Sequence, residues 1–226
     1  PRLCPLLGPE QVALIESSLP SAESRDFEGV ETLKKLMEEF AGTNLAQRAG
    51  VVGGRMVGRL LEVRCLGKPF SVDEGGGLHS DCHQNPWLHI PLLRYVRDAE
   101  GARPTGQWLR FEQLAGTTHW IPYFRKRCLQ VLESLAGRKT ELFEDIAGLF
   151  AEKEQLPGFE HDRSFLLRPL PLVPVIFASR RPYGELPAEV FVYFDRCCER
   201  NLDPESLFRI VSGVAQMFER IARRHG

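Results

Sequence analysis

The sequence predicts an α+β fold: an antiparallel sheet, made of a hairpin plus a C-terminal meander, packed with helices. Three observations carry this. Apolar residues recur at helical spacing in several stretches, short apolar runs bounded by Gly or Pro cluster at 57–72 and 164–195, and the composition is that of an ordinary globular chain, 43% hydrophobic and 26% charged over 226 residues. Residues 1–50 read as an N-terminal helical segment and 51–226 as an α+β domain, the two forming one compact unit.

In the first segment Val12, Ile15 and Leu19 share one helical face, and Val30, Leu33, Met37 and Phe40 form a second stripe. Gly42 and Gly50 mark stops or turns. From Val57 to Val72 the pattern changes. Leu60, Glu62, Arg64 and Leu66 alternate imperfectly with Leu61, Val63 and Cys65, Gly67-Lys68-Pro69 reads as a turn, and Phe70–Val72 returns, which makes a hairpin. Gly75-Gly76-Gly77 ends it.

Asn85 caps the next helix and Pro86 opens it, where a missing N–H costs nothing. Leu88, Leu92 and Tyr95 line its inner face, and a turn-rich stretch through Gly101, Pro104 and Gly106 follows. A helix from about Pro122 to Leu135 carries Phe124, Cys128, Val131, Leu132 and Leu135, and Gly137 closes it. Thr140 caps a further helix with Leu142, Ile146, Leu149 and Phe150. Phe165–Leu167, Val173–Phe177 and Val190–Phe194 have the spacing of a meander. The last helix is capped by Asp203 and opened by Pro204, with Leu207, Ile210, Val211, Val214, Phe218 and Ile221 as a wide apolar stripe.

Net charge is −1, from 29 basic and 30 acidic residues, so no global field favours nucleic acid. The longest apolar region, Leu166 to Phe177, is broken by Arg168, Pro169, Pro171 and Pro174, well short of the roughly 20 apolar residues of a membrane span. Pro1 to Pro9 lack a secretory pattern. Cys4, Cys65, Cys82, Cys128, Cys197 and Cys198 are scattered, with no CxxC pair. The expectation is a soluble cytoplasmic protein with no nucleic-acid or membrane partner.

The unusual segment is His79-Ser80-Asp81-Cys82-His83, with His89 beyond it. Imidazole, thiolate and carboxylate are all transition-metal ligands. On a strand, His79, Asp81 and His83 point one way and Cys82 the other; on a helical turn, His79, Cys82 and His83 share a face. Zinc takes four ligands, or three and a water, and His89, His119 or Cys128 could complete the set through the fold. An axial histidine to haem or corrinoid needs less. The competing reading is an ordinary loop whose histidines cap, bond backbone or face water.

Other features read more plainly. Gly75-Gly76-Gly77 lacks the phosphate-loop spacing and reads as a tight turn, and the glycines at 50, 53, 54 and 58 read as turns or close packing. Cys197, Cys198 and Cys128 read as buried thiols. Arg125, Lys126 and Arg127, and the terminal Arg220, Arg223, Arg224 and His225, read as cations at helix C-termini. Asp73-Glu74 and Glu144-Asp145 read as solvated faces.

The run His79-Ser80-Asp81-Cys82-His83-x-Asn85-Pro86-Trp87, then Pro91-Leu92-Leu93-x-Tyr95, Thr105-Gly106-x-Trp108 and Arg127-Cys128, resembles an uncharacterised prokaryotic family, domain of unknown function 3786. Leu170-Pro171-x-Val173-Pro174, Phe194-Asp195 and Met217-Phe218-Glu219 fit the same pattern, so the resemblance runs from about residue 57 to the end. It implies a setting beside iron–sulfur and corrinoid one-carbon chemistry, although this chain has no cysteine-rich segment. It also implies that His79, Asp81, Cys82, His83, Arg127 and Cys128 belong to one site.

The leading expectation is therefore a cofactor-binding module for redox or one-carbon metabolism. It would hold zinc, iron, haem or corrinoid, with His79, Asp81, Cys82 and His83 toward the metal and His89, Arg127 and Cys128 around the cofactor, and would serve a redox or corrinoid-pathway protein. A cofactor-free interaction or assembly subunit is the first alternative. An enzyme using Cys82 as nucleophile, with His83 or His119 as base, is the second.

Overall fold

A computed structural model describes residues 27–82 and 86–225. The stripe at Val12, Ile15 and Leu19, Cys4, His83 and the Asn85 cap lie outside the described residues. The fold is α+β, with two antiparallel sheets and helices against them.

Helix α1 (Phe27–Phe40) and α2 (Leu45–Val51) come first, and the Asn44 side chain caps α2 by accepting from the Gln47 N–H at 3.0 Å. The buried line of α1 is Leu36 and Phe40, with Leu33 and Met37 packed beside it, whereas Val30 of the expected stripe is exposed. The hairpin is larger than expected. Strands β1 (Arg55–Val57), β2 (Leu60–Cys65), β3 (Lys68–Val72) and β4 (Leu78–His79) form a four-stranded sheet in that order. Cys65 pairs with Lys68, so the turn is Leu66-Gly67, one residue earlier than predicted, with φ of 48° and 77°. A two-residue turn with both φ positive matches the twist of its strands. Pro69 sits inside β3, but its carbonyl points toward the Ser80 hydroxyl beyond the end of β4, so the missing N–H breaks no ladder bond.

Helix α3 (Pro86–Asp98) follows, then β5 (Trp108–Arg110). Next comes one unbroken helical run: α4 (Ile121–Phe124), a π-helical turn (Arg125–Leu129) and α5 (Gln130–Arg138). Then come α6 (Thr140–Phe150), β6 (Lys153–Glu154), β7 (Arg163–Leu170), β8 (Val173–Arg180), β9 (Glu189–Asp195), α7 (Cys198–Asn201) and α8 (Pro204–His225). The predicted meander is the centre of a five-stranded sheet ordered β5-β9-β8-β7-β6. The Asp203 cap on α8 is present, its carboxylate accepting from the Ser206 N–H at 3.0 Å. Cys197 and Cys198 are both buried, with sulfurs directed at the Leu172 and Pro174 carbonyls.

One core cluster draws residues from both sheets and from α1, α3, α5, α6 and α8. Tyr95 is its polar pin. The ring is fully buried, the hydroxyl donates to the Val52 carbonyl at 2.8 Å, and it accepts from the Leu172 N–H at 3.1 Å. Those bonds join α3 to the end of α2 and to the β7–β8 turn. Tyr95→Phe keeps the ring but orphans two buried backbone groups, so a loss of about 1–3 kcal/mol is expected in urea unfolding. A change in midpoint no larger than that of a surface Tyr→Phe control would refute it.

Of the two acidic pairs read as solvated, Glu74 and Asp145 are exposed, while Glu144 and Asp73 are not simply solvated. Glu144 is buried, taking Arg181 Nε at 2.8 Å and Nη2 at 2.6 Å, with Arg163 Nε at 3.3 Å. The carboxylate is shielded by two guanidiniums from β7 and the end of β8, a pairing that sequence separation hid. Asp73 is likewise engaged, as described below.

Candidate functional site

Asp73 follows β3, and its carboxylate organises the glycine loop. Oδ1 accepts from the Gly75 N–H at 2.9 Å and the Gly77 N–H at 2.8 Å, and Oδ2 accepts from His79 Nε2 at 2.7 Å. The loop's N–H nest is filled by the chain's own carboxylate, which fits the tight-turn reading of the three glycines. Gly76 has φ of 80° and rests on Met37, Phe40 and Leu93, and a Cβ on Gly77 would collide with the Asp73 carboxylate. The hydrogen bond from His79 is the largest cause holding the Asp73 carboxyl below its usual range; burial opposes it and the two glycine N–H groups add to it.

His89 braces the loop from the other side. Its Nε2 donates to the Gly76 carbonyl at 2.8 Å from the second turn of α3. Burial pushes the imidazole below its ordinary value, against the opposing pull of the Gly76 carbonyl and the Asp73 charge.

Strand β4 ends at His79, and Asp81 and Cys82 follow in a bend. His79 and Asp81 are exposed, Leu78 is buried, and Cys82 is half-buried against the core. Ser80 fixes the bend, its hydroxyl donating to the Pro69 carbonyl at 2.9 Å and accepting from the Cys82 N–H at 3.1 Å. His83 lies outside the described residues. Arg127 and Cys128 are neighbours with opposite fates. Cys128 is fully buried, its sulfur 3.9 Å from the Phe208 carbonyl, and burial pushes its thiol well above the ordinary value. Arg127 is exposed, with its guanidinium 5.7 Å from the centre of the Trp87 ring. His79 and His89 thus meet at the glycine loop, while Arg127 joins a different cluster and Cys128 the core. Among the described residues, no group of three or more His, Cys, Asp and Glu side chains is placed to hold a metal ion.

The second cluster escaped sequence reasoning. Trp120 stacks on Phe208 at 5.5 Å and 23°, Trp87 meets the same ring edge-on at 6.4 Å, and Tyr123 leans on it at 6.4 Å. His119 lies against Trp120 at 5.5 Å, and Arg209 places a second guanidinium 5.6 Å from the Trp87 ring centre. Its parts come from three distant stretches of chain. The readable signal was local: no acidic residue lies between Glu112 and Glu133, while Arg125, Lys126 and Arg127 do. These cations were expected at a helix C-terminus; the structure puts them in mid-helix, on the π-turn. Such turns recur at functional sites.

The family model described as Domain of unknown function (DUF3786) matches residues 44–217. The chain belongs to this family. The DUF3786 match spans both sheets, the glycine loop, the Trp87 cluster and most of α8. No curated protein and no solved structure matches. Among the described residues of this DUF3786 chain, no helix is long and apolar enough to cross a membrane.

Proposed function

We propose that the protein is a binding module for a metal-centred tetrapyrrole, haem or corrinoid, in redox or one-carbon metabolism, with His79 facing the metal. One observation carries this: the Asp73–His79 pair, with Nε2 bonded to the carboxylate at 2.7 Å and the side chain 53% exposed. In the neutral ring, a carboxylate on Nε2–H leaves the lone pair on Nδ1, and this is how metal-binding histidines are oriented. Nδ1 makes no hydrogen bond among the described residues. The described donors do not make a four-ligand cage, so they fit zinc less well. A tetrapyrrole brings four equatorial nitrogens and asks the protein for one axial group. The protein's own residues then have simple tasks: Asp73 orients the imidazole, and Gly75, Gly77 and His89 hold Asp73 and its loop in place. Asp81, exposed beside His79, adds a carboxylate at the edge of the site.

The test is an absorption titration of anaerobically purified protein with haemin and with cobinamide, alongside elemental analysis of the protein as isolated. Axial ligation should shift the absorption bands of at least one of them. His79→Ala should abolish the shift with the circular dichroism unchanged. Asp73→Asn should weaken binding about 10- to 100-fold, the usual cost of losing a carboxylate behind a ligating histidine. Unshifted bands with both macrocycles, or a shift that survives His79→Ala, would refute the proposal.

A further inference from the structure

We infer that the face formed by Tyr123, Arg125, Lys126 and Arg127, with His119, Trp120 and Trp87 beside it, docks an acidic segment of a partner protein. The inference is independent of the cofactor reading, since it uses none of the glycine-loop residues.

Charge comes first. Arg125, Lys126 and Arg127 are consecutive and exposed, and among the described residues no carboxylate pairs with any of them. The neighbouring cations are already neutralised: Arg209 bonds Glu205 at 2.8 Å, and Arg94 bonds Glu205 at 3.0 Å and Asp203 at 3.1 Å. In this neighbourhood the uncompensated charge therefore sits on the π-turn, in a chain whose net charge is −1. A local positive patch on a nearly neutral protein steers an acidic partner toward it.

Composition comes second. Tyr123 is 47% exposed, and Trp, Tyr and Arg side by side are the residues that dominate the energetics of protein interfaces. They lose little conformational freedom on binding because the helix already holds them, Tyr123 and Trp120 against Phe208 and Arg127 against Trp87.

Ring geometry favours one class of partner. Trp120 has one face stacked on Phe208, and two guanidiniums lie within 6 Å of the Trp87 centre, at 5.7 Å and 5.6 Å. One face of Trp120 and the Trp87 ring are engaged in this way, which leaves fewer of the stacking platforms that single-stranded nucleic acid uses. Ring edges and guanidinium heads remain, and they suit carboxylates flanked by apolar side chains.

The experiment measures fluorescence anisotropy of three labelled probes with the full chain: a peptide alternating glutamate with leucine and phenylalanine, the same peptide with glutamine for glutamate, and a polyuridylate of similar length. The acidic peptide should bind, more weakly as salt is raised. Charge reversal at Arg125, Lys126 and Arg127 to Glu should cost at least about tenfold, and Tyr123→Ala about tenfold, the scale of a single interface anchor. Both variants alter exposed positions, and circular dichroism checks their folding. Equal binding of the glutamine peptide, no binding of the acidic peptide, or binding that survives charge reversal would overturn the inference. Binding of polyuridylate alone would assign the face to nucleic acid instead.

Discussion

Replacing Asp195 with Ala should cost about 3–5 kcal/mol, the scale for orphaning several buried donors at once. Asp195 ends β9 and is fully buried. Its two oxygens accept from the Thr105 N–H at 3.0 Å, the Thr105 hydroxyl at 3.0 Å, the Gly106 N–H at 2.6 Å and the Cys197 N–H at 2.8 Å. One carboxylate thus fixes both the approach to β5 and the turn into α7. Burial alone would raise its carboxyl, but the bonds from Thr105, Cys197 and Gly106 outweigh it and hold the group below the ordinary value. A depressed carboxyl contributes stability above the unfolded-state value, about 3.9, and loses it as pH falls below that toward the folded value. Urea unfolding at neutral and acidic pH reads both effects. The gap between wild type and Asp195→Ala should narrow toward low pH. A neutral-pH loss under about 1 kcal/mol, less than one unsatisfied buried donor costs, would contradict the clamp.

Phe218→Ala should be of similar size, about 3–5 kcal/mol for a large aromatic removed from a core that cannot close over the space. Phe218 is fully buried on α8 and touches three rings: Phe143 at 6.3 Å, Phe150 at 5.9 Å and Phe177 at 5.9 Å. Two of these belong to α6 and one to β8, so the side chain holds a helix pair onto the five-stranded sheet. Phe218→Leu, which refills much of the volume, should recover more than half of the loss. A Leu variant no better than Ala would place the energy in ring–ring geometry rather than in filled space.

The sequence revealed what repeats within a short window. Helix α8 announced itself through Asp203, Pro204 and an unbroken apolar stripe, and the meander through three bounded apolar runs. Strands β1, β4, β5 and β6 did not, because two or three residues are too few to display a period. Val30 was assigned inward on spacing alone and is exposed, since the line that meets the core runs through Leu36 and Phe40. At the candidate site neither regular alternative extends through the described residues, because β4 ends at His79 and Asp81 and Cys82 lie in a bend. The role of Asp73 was hidden because backbone N–H groups, which carry no sequence signature, are most of its partners. The resemblance implied one site for His79, Arg127 and Cys128; of these, His79 bonds Asp73, Arg127 lies over the Trp87 ring and Cys128 is buried in the core, since adjacent positions on a helix face different ways.

The π-turn at 125–129 has a consequence for that helix. Phe124, Cys128 and Leu132 are all buried and each lies four residues from the last. In a regular helix a four-residue step overshoots a full turn by about 40°, so two steps would swing the third side chain well away from the first. A single oversized coil absorbs that excess. The interior keeps its alignment while the exterior gains one additional position, and the solvent side of that coil holds the arginine–lysine–arginine run. The wider turn thus gives extra room for surface chemistry without disturbing the packed face.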